Sequence, residues 1–304
     1  MKTKNQNKIK KTKQDKILNI IIVIACVIIG IFSFYPLWIV LISSISDPTA
    51  ISNGEVWLLP KKINFEAYKT LLSEKSLWVG YRNSLMYTVF GTILQMLFTA
   101  PCAYALSRKT LPGRRFIIIF FLFVLYFSGG LIPTYFLLKN LHLLNTPWAL
   151  IIPGLVGLYN LIIGRNYFES SIPEEIYDAA KMDGCNWIQI FIHIAMPLAK
   201  PVLAVMALNF ALGHWNNYFD AMIYINDDSI QTLQVIIKRI TMAATTVLES
   251  ADGHIKMGEL IASIRQTQLL KYAVVVVSSV PMICLYPFIQ KYFVKGIMLG
   301  SVKE

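Results

Sequence analysis

Charged side chains are scarce in this sequence. Asp, Glu, Lys and Arg together make up 15% of the 304 residues, whereas a soluble domain carries about a quarter. Hydrophobic residues account for 56% of the chain, and the uncharged positions are gathered into long runs. This composition excludes an ordinary soluble domain and predicts an all-α integral membrane protein.

Motifs of catalysis and of cofactor binding are also missing. The sequence has no GxxxxGK[ST] loop for the phosphates of a nucleotide. Its four histidines form no HExxH pair, and its four cysteines form no CxxC pair. We therefore expect no catalytic residue, no metal site and no cofactor bound by this chain.

Six apolar segments are long enough to cross a bilayer, which takes about 20 helical residues. They are Ile17–Ser46, Asn83–Ser107, Phe116–Leu138, Trp148–Gly164, Pro201–Phe219 and Tyr272–Gln290. The third segment contains Gly129, Gly130 and Pro133, which predict a kink or break. Small residues in the second and fourth segments predict close helix packing in lipid.

Basic residues are concentrated in three of the connecting regions. Seven lysines precede the first segment, the loop after the second holds four basic residues and no acid, and the C-terminal tail is also basic. With six spans these regions lie on one side, which the positive-inside rule makes cytoplasmic. The prediction is a basic cytoplasmic tail (residues 1–16), a single six-helix domain (17–304), both termini in the cytoplasm, and external loops at 47–81 and 220–271. The basic tails and loop account for the net charge of +11, so this charge does not indicate a nucleic-acid partner.

The polar stretch from Ser170 to Pro201 is rich in signals for helix ends. Ser171 and Glu174 have the spacing of a capping box, which predicts a helix over 172–182 with an apolar face of Ile172, Ile176, Ala179 and Ala180. Gly184 is placed to end that helix in a left-handed turn, and a second helix should start near Asn186 or Trp187. An ordinary cytoplasmic loop between two membrane helices would show the same periodicity.

This stretch resembles the EAA loop of permease subunits of ABC importers. The similarity lies in Asp178-Ala179-Ala180, in Asp183-Gly184 and in Ile194-x-Met196-Pro197, with Asp178 in place of Glu and Met196 in place of Leu. The resemblance implies that loop 170–201 docks into a cleft on a separate ATPase subunit. The residues that it assigns to this coupling are Glu174, Glu175, Asp178, Ala179, Ala180, Asp183, Gly184 and Pro197.

The fifth apolar segment is polar near its outer end. Its candidate substrate-path residues are Asn209, His214, Trp215, Asn216 and Asn217. Polar groups at membrane depth are costly unless they face other helices or water. Amides beside an aromatic ring suit a sugar, although hydrogen bonds between helices or emergence into solvent would explain them equally.

Two further stretches are similar to carbohydrate-importer permeases: GHWNNYFDAMIYIND, which starts at Gly213, and the tail QKYFVKGIMLGSVKE, which starts at Gln290. On these motifs the chain is identified as a member of the maltose-importer-like ABC permeases, in the oligosaccharide and polysaccharide branch. The resemblance implies a non-enzymatic translocating subunit in a bacterial cell membrane, and the branch that it resembles is one of Gram-positive bacteria. It also implies a second homologous permease, a cytoplasmic ATPase dimer that binds ATP and Mg, an extracellular solute-binding protein, membrane lipid and a carbohydrate substrate.

Other functions remain open at this level. An ABC permease for amino acids or peptides would share the loop motif. A secondary transporter usually carries charges within its spans or repeated halves, and neither is visible here. A membrane scaffold or sensor could share the topology without explaining the loop.

Overall fold

A computed structural model describes residues 12–249, 269–285 and 287. Within these ranges the chain forms α-helices, two short 3-10 segments and one π-helical turn, with no β-strand, so the predicted all-α class is confirmed. The α-helices, in chain order, are α1 Lys13–Ser44, α2 Pro48–Ser52, α3 Glu66–Ser73, α4 Lys75–Ser107, α5 Arg114–Tyr126, α6 Leu131–Asn140, α7 Trp148–Ile151, α8 Leu158–Ser171, α9 Glu174–Met182, α10 Trp187–Ile190, α11 Met196–Leu198, α12 Lys200–Trp215, α13 Phe219–Tyr224, α14 Leu233–Glu249 and α15 Leu269–Leu285.

The chain divides into two compact units. The first comprises residues 1–69 and 247–276, and the second comprises 70–246 and 277–304. In the first unit, α1 begins with a capping box between Thr12 and Asp15 and presents apolar side chains outward along most of its 32 residues. An apolar helix of this length is suited to lipid contact.

The region that follows α1 contains helical structure. It contains α2 and α3, and the indole nitrogen of Trp38 donates to the carbonyl of Leu58 at 2.9 Å. Residues 75–81 of the predicted external loop 47–81 belong to α4, and the external location of this region stays a prediction. Polar and charged residues in the first turns of α4 concealed the true start of this helix.

The second unit is built around α4, which packs against α8 and α12. Glycines on these helices allow close approach, as predicted for the second and fourth apolar segments. A Cβ atom on Gly164 of α8 would lie 3.1 Å from the Cβ of Ala103 in α4 and 3.0 Å from the sulfur of Met206 in α12. A Cβ atom on Gly91 of α4 would lie 2.3 Å from the ring of His214 in α12.

Three helical regions are bent sharply at a short break. The predicted break in the third segment is confirmed: α5 and α6 meet at 110° across residues 127–130, where Gly130 has a φ of +88°. The α7 region bends by 43° into α8, and the region of α10 and α11 bends by 85° into α12. Within the described ranges, two helices can span a membrane alone, or five segments if each bent pair counts as one span. The count of six spans remains a prediction.

The segment after α12 is attached to the start of α4. The Asn83 amide donates to the carbonyls of Ser229 and Gln231 at 2.9 and 3.0 Å, and the Ser84 hydroxyl accepts from the backbone nitrogen of Leu233 at 2.8 Å. Within the predicted external loop 220–271, the chain forms the amphipathic helix α14. Residues 250–268 of that predicted loop and the tail from residue 290 lie outside the described residues.

Candidate functional site

Helix α9 is the centre of the predicted coupling loop. It covers Glu174–Met182, two residues shorter than predicted, and its N-cap is Pro173 without a side-chain cap. The capping box predicted for Ser171 and Glu174 is wrong, because α8 continues through Ser171. Two acidic residues in the first turn and Lys181 in the last turn stabilise α9 through the helix dipole.

The end of α9 is a complete Schellman motif, as the position of Gly184 predicted. Gly184 has a φ of +81°, and its backbone nitrogen donates to the carbonyl of Lys181 at 3.0 Å. The nitrogen of Cys185 donates to the carbonyl of Ala180, also at 3.0 Å. The two bonds satisfy carbonyls that the helix end would otherwise leave unpaired and fix the direction in which the chain leaves α9.

One face of α9 is buried in the second unit. Tyr177 is 2% exposed and Ala180 5% exposed, and both belong to a core cluster with residues of α4, α8 and α12. The predicted apolar face is therefore partly wrong, since Ile176 and Ala179 are exposed and Tyr177 takes the central place. The Tyr177 side chain lies in the core cluster between residues of α4, α8 and α12.

The Tyr177 ring packs against a buried cation. The Arg108 guanidinium carbon lies 3.7 Å from the centre of the Tyr177 ring and 5.5 Å from that of Tyr104. Arg108 is 8% exposed, donates to the Ser107 hydroxyl and to the carbonyl of Phe168, and has no carboxylate partner among the described residues. Stacking on two aromatic faces compensates part of its desolvation.

Three other aromatic rings complete this cluster at the base of α9. Tyr104 is the centre, with ring-centroid distances of 5.7 Å to Phe168, 6.2 Å to Tyr177 and 5.0 Å to Phe191. Burial raises the pKa of the Tyr177 hydroxyl to about 12, while the Arg108 cation acts in the opposite direction. The ring that faces Arg108 is consequently neutral at physiological pH. We call Tyr104, Arg108, Phe168, Tyr177 and Phe191 the aromatic–arginine cluster.

The opposite face of α9 is open and acidic. Glu174, Glu175, Asp178 and Asp183 are exposed, and Asp178 is paired with Lys181 at 3.3 Å. Ala179 lies between these carboxylates and is also exposed. Of the eight predicted coupling residues, the structure therefore places six on an exposed surface of α9 and its C-terminal turn, and Ala180 in the core.

The eighth predicted residue, Pro197, is exposed on the segment that leads back to α12. Asn186 and Gln189 form a capping box at the start of α10, which confirms the predicted helix start. The chain then forms a π-helical turn over Phe191–Ala195. Pro197 has no backbone N–H and its ring clashes with the carbonyl four residues earlier, which explains this local widening of the helix.

Besides the region of α9, the candidate site includes a cavity of about 480 Å³ beside α12. Among the predicted substrate-path residues, Asn209, His214 and Asn217 line it. Trp215 and Asn216 do not: Trp215 is buried and donates to the carbonyl of Ser278 at 3.2 Å, while Asn216 is exposed at the end of α12.

The polar groups of this cavity come from several elements. The Asn209 amide donates to the side chain of Asn160 in α8 at 2.9 Å, and the Asn217 amide donates to Asp220 at 3.3 Å. Gln95 of α4 donates to the carbonyl of Gly154 at 2.6 Å, and its own side-chain oxygen is buried without a donor among the described residues. No Lys or Arg lies among the described residues that line the cavity.

Several residues of the cavity and of the aromatic–arginine cluster were not predicted from the sequence. Gln95, Phe210 and Tyr224 also line the cavity, and the spacing of Asn209, Phe210, Gly213 and His214 at i, i+1, i+4 and i+5 could have indicated one helical face. In the aromatic–arginine cluster no local pattern was available, because its members come from α4, α8, α9 and the π-helical turn.

Comparison with known proteins identifies the class. Residues 76–299 match the family described as "Binding-protein-dependent transport system inner membrane component", and the chain belongs to this family. The predicted membership of the importer permeases is thereby confirmed, and the chain is a transporter subunit rather than an enzyme.

Individual relatives cover nearly the whole chain. Protein LplC of Bacillus subtilis is 34% identical over 96% of this chain and 97% of its own length. The polygalacturonan/rhamnogalacturonan transport system permease protein YtcP of the same organism is 36% identical over 87% of this chain and 90% of its own. A chain from the crystal structure of a bacterial ABC transporter involved in the import of the acidic polysaccharide alginate matches with a TM-score of 0.79 and 34% identity, covering 93% of this chain and 99% of that one.

Proposed function

We propose that this chain is the permease subunit of a carbohydrate ABC importer and that α9 transmits the movement of a separate ATPase to the membrane helices. The observation that carries the proposal is the two-faced geometry of α9. Its acidic face is exposed, and its other face is fixed to the core through Tyr177 and Ala180. The chain then carries a six-span fold in a bacterial cell membrane, with both termini and loop 170–201 in the cytoplasm.

The coupling follows from the packing of the aromatic–arginine cluster. Close-packed interiors transmit displacement rather than absorb it. A movement of α9 therefore moves the end of α4 through Tyr104 and Arg108, the end of α8 through Phe168, and the approach to α12 through Phe191. Binding of ATP to the partner shifts this equilibrium only if the docked α9 has a higher affinity in one state.

The cavity beside α12 supplies the substrate path on this subunit. Amide, hydroxyl and aromatic groups suit the hydroxyls and ring faces of a sugar. The relatives named for polygalacturonan, rhamnogalacturonan and alginate transport support an oligosaccharide as the substrate. A second homologous permease, two ATPase subunits holding ATP and Mg, and an extracellular solute-binding protein complete the proposed assembly.

Reconstitution tests this proposal. The complex purified through this chain should contain an ATPase, and its binding protein should carry an oligosaccharide that mass spectrometry identifies. In proteoliposomes the loaded binding protein should stimulate ATP hydrolysis and sugar uptake. A binding protein that carries an amino acid or a peptide would replace the carbohydrate assignment, and uptake driven by an ion gradient without ATP would contradict the importer.

A further inference from the structure

A second surface of the molecule is strongly basic. An open groove of about 1020 Å³ lies between the end of α4, the start of α5 and α8. Four cations line it, Lys109, Arg114, Arg115 and Arg165, together with the apolar side chains of Phe116 and Ile119. We call these six residues the basic groove.

The positive charge of the basic groove is only partly neutralised. Glu169 binds Arg114 at 2.8 Å and Arg165 at 2.5 Å, so one carboxylate serves two guanidinium groups. Lys109 and Arg115 are exposed and have no ion-pair partner among the described residues. Four cations against one carboxylate leave a net charge of three within one groove, and like charges at such distances repel unless an anion is bound.

Glu169 and a backbone carbonyl hold the guanidinium groups of the groove in fixed positions. Arg114 donates through its Nε to the carbonyl of Leu106 at 2.8 Å, which holds its guanidinium beside the end of α4. The Arg165 Nε is buried and finds no acceptor among the described residues. Guanidinium groups held in place by a carboxylate are well suited to bind the oxygen atoms of a phosphate.

The apolar side of the groove distinguishes a lipid from a soluble anion. Phe116 is 76% exposed and Ile119 55% exposed, and both lie on α5, whose uncharged surface continues from the cations. A phosphate ion would use the cations alone, whereas a phospholipid can also place an acyl chain along these side chains. Basic grooves beside membrane helices on the cytoplasmic side are typical sites for anionic head groups.

We propose that the basic groove binds the phosphate head group of an anionic membrane phospholipid, with an acyl chain lying against Phe116 and Ile119. This inference rests on the proposed membrane orientation, which places the groove on the same side as α9. A bound lipid would link the loop between α4 and α5 to α8 near the aromatic–arginine cluster.

Native mass spectrometry of the purified importer complex tests the lipid site. Phosphatidylglycerol and phosphatidylcholine are titrated in detergent onto the unsubstituted complex, onto the double variant Lys109→Gln/Arg115→Gln, and onto a control, Lys61→Gln/Lys62→Gln. The control removes the same charge from exposed positions in the loop after α1. We expect a preference for phosphatidylglycerol that weakens roughly thirtyfold in the groove variant, given the usual contribution of each basic residue at a membrane surface, and is unchanged in the control.

Two further measurements identify the occupant. A photoreactive residue at Phe116 should form an adduct with phospholipid in the membrane, and an adduct with another permease subunit would overturn the proposal. Excess inorganic phosphate should weaken lipid binding only slightly. Full displacement by phosphate, together with unchanged binding in Phe116→Ser/Ile119→Ser, would identify a site for a free anion and also overturn it.

Failure of the lipid site is distinguishable from failure of the proposed function. Equal binding of both lipids, or equal binding by the groove variant and the control, would refute the lipid site alone if the ATPase co-purifies and sugar is transported. Absence of the ATPase from the unsubstituted complex would refute the proposed function whichever lipid binds.

Discussion

The Tyr177 ring, and not its hydroxyl group, stabilises the buried face of α9. The hydroxyl oxygen is buried without a hydrogen-bond partner among the described residues, whereas the ring covers the Arg108 cation. We expect Tyr177→Ala to destabilise the protein by about 3 kcal/mol or more, because it opens a cavity and uncovers a buried charge. Tyr177→Phe keeps the ring and should change stability by less than about 1 kcal/mol. Thermal unfolding of both purified variants measures the difference, and a large effect of Tyr177→Phe would show that the hydroxyl has a partner.

Gly184 matters for its backbone conformation and not for space. No atom lies within 4 Å of a Cβ placed on it, but its φ of +81° costs other residues about 1–2 kcal/mol. Asn tolerates this region best and β-branched Val worst, so sugar uptake should fall in the order Gly, Asn, Ala, Val at equal amounts of protein in the membrane. We expect Gly184→Val to abolish uptake while membrane insertion is retained. Equal uptake by the Asn, Ala and Val variants would show that the Schellman turn is dispensable.

Among the helices, α8 and α12 are in contact beside the cavity. A Cβ atom on Gly157, at the start of α8, would lie 2.3 Å from the ring of Phe210, which lines the cavity. Gly157→Ala should therefore displace Phe210 and lower uptake, whereas ATPase binding should remain because α9 is not touched. Gly213→Ala is the matched control, since Gly213 also lines the cavity and nothing lies within 4 Å of its Cβ position. Equal uptake by the two variants would contradict a role for this packing in the transport path.

The sequence predicted correctly those helix ends that depend only on a few neighbouring residues. Gly184 ends α9 and Asn186 starts α10 as predicted, because a left-handed turn and a capping box depend on a few adjacent positions. The break at Gly130 was predictable for the same reason. The buried face of α9 was not, since Tyr177 is selected by partners such as Tyr104 and Phe168, which lie far away in the sequence.

The residues of the cavity were likewise predicted in part from the local sequence, and in part they depend on distant contacts. A polar end of α12 was evident from the sequence, and Asn209, His214 and Asn217 line a cavity. The predictions that failed involve tertiary contacts. Trp215 has a residue type suited to stacking on a sugar, but it is buried and its indole nitrogen donates to the carbonyl of Ser278. Composition indicates which residue types are suited to a ligand, but packing decides which of them reach it.

On the scale of the whole molecule, membrane orientation is testable with single cysteines. Lys181 lies on α9 and Lys61 in the loop after α1, and both are exposed. In a background without the four native cysteines, a membrane-impermeant thiol reagent should label Lys61→Cys in intact cells and Lys181→Cys only in inverted vesicles. Permeabilised membranes, in which both should react, provide the control. Labelling of both positions from one side would contradict the proposed six-span topology.

The central claim is that the turn after α9 is required for attachment of the ATPase. The most direct test is gentle affinity purification of this chain from native membranes, with the co-purifying proteins quantified for the unsubstituted chain, Gly184→Val and Gly30→Val. Gly30 lies in α1, has no positive φ and has open space around its Cβ position, so it controls for the introduction of valine. We expect an ATPase and a second permease to accompany the unsubstituted chain and Gly30→Val, and we expect Gly184→Val to retain the permease and lose most of the ATPase. Undiminished ATPase with Gly184→Val, or no ATPase with the unsubstituted chain, would contradict the central claim.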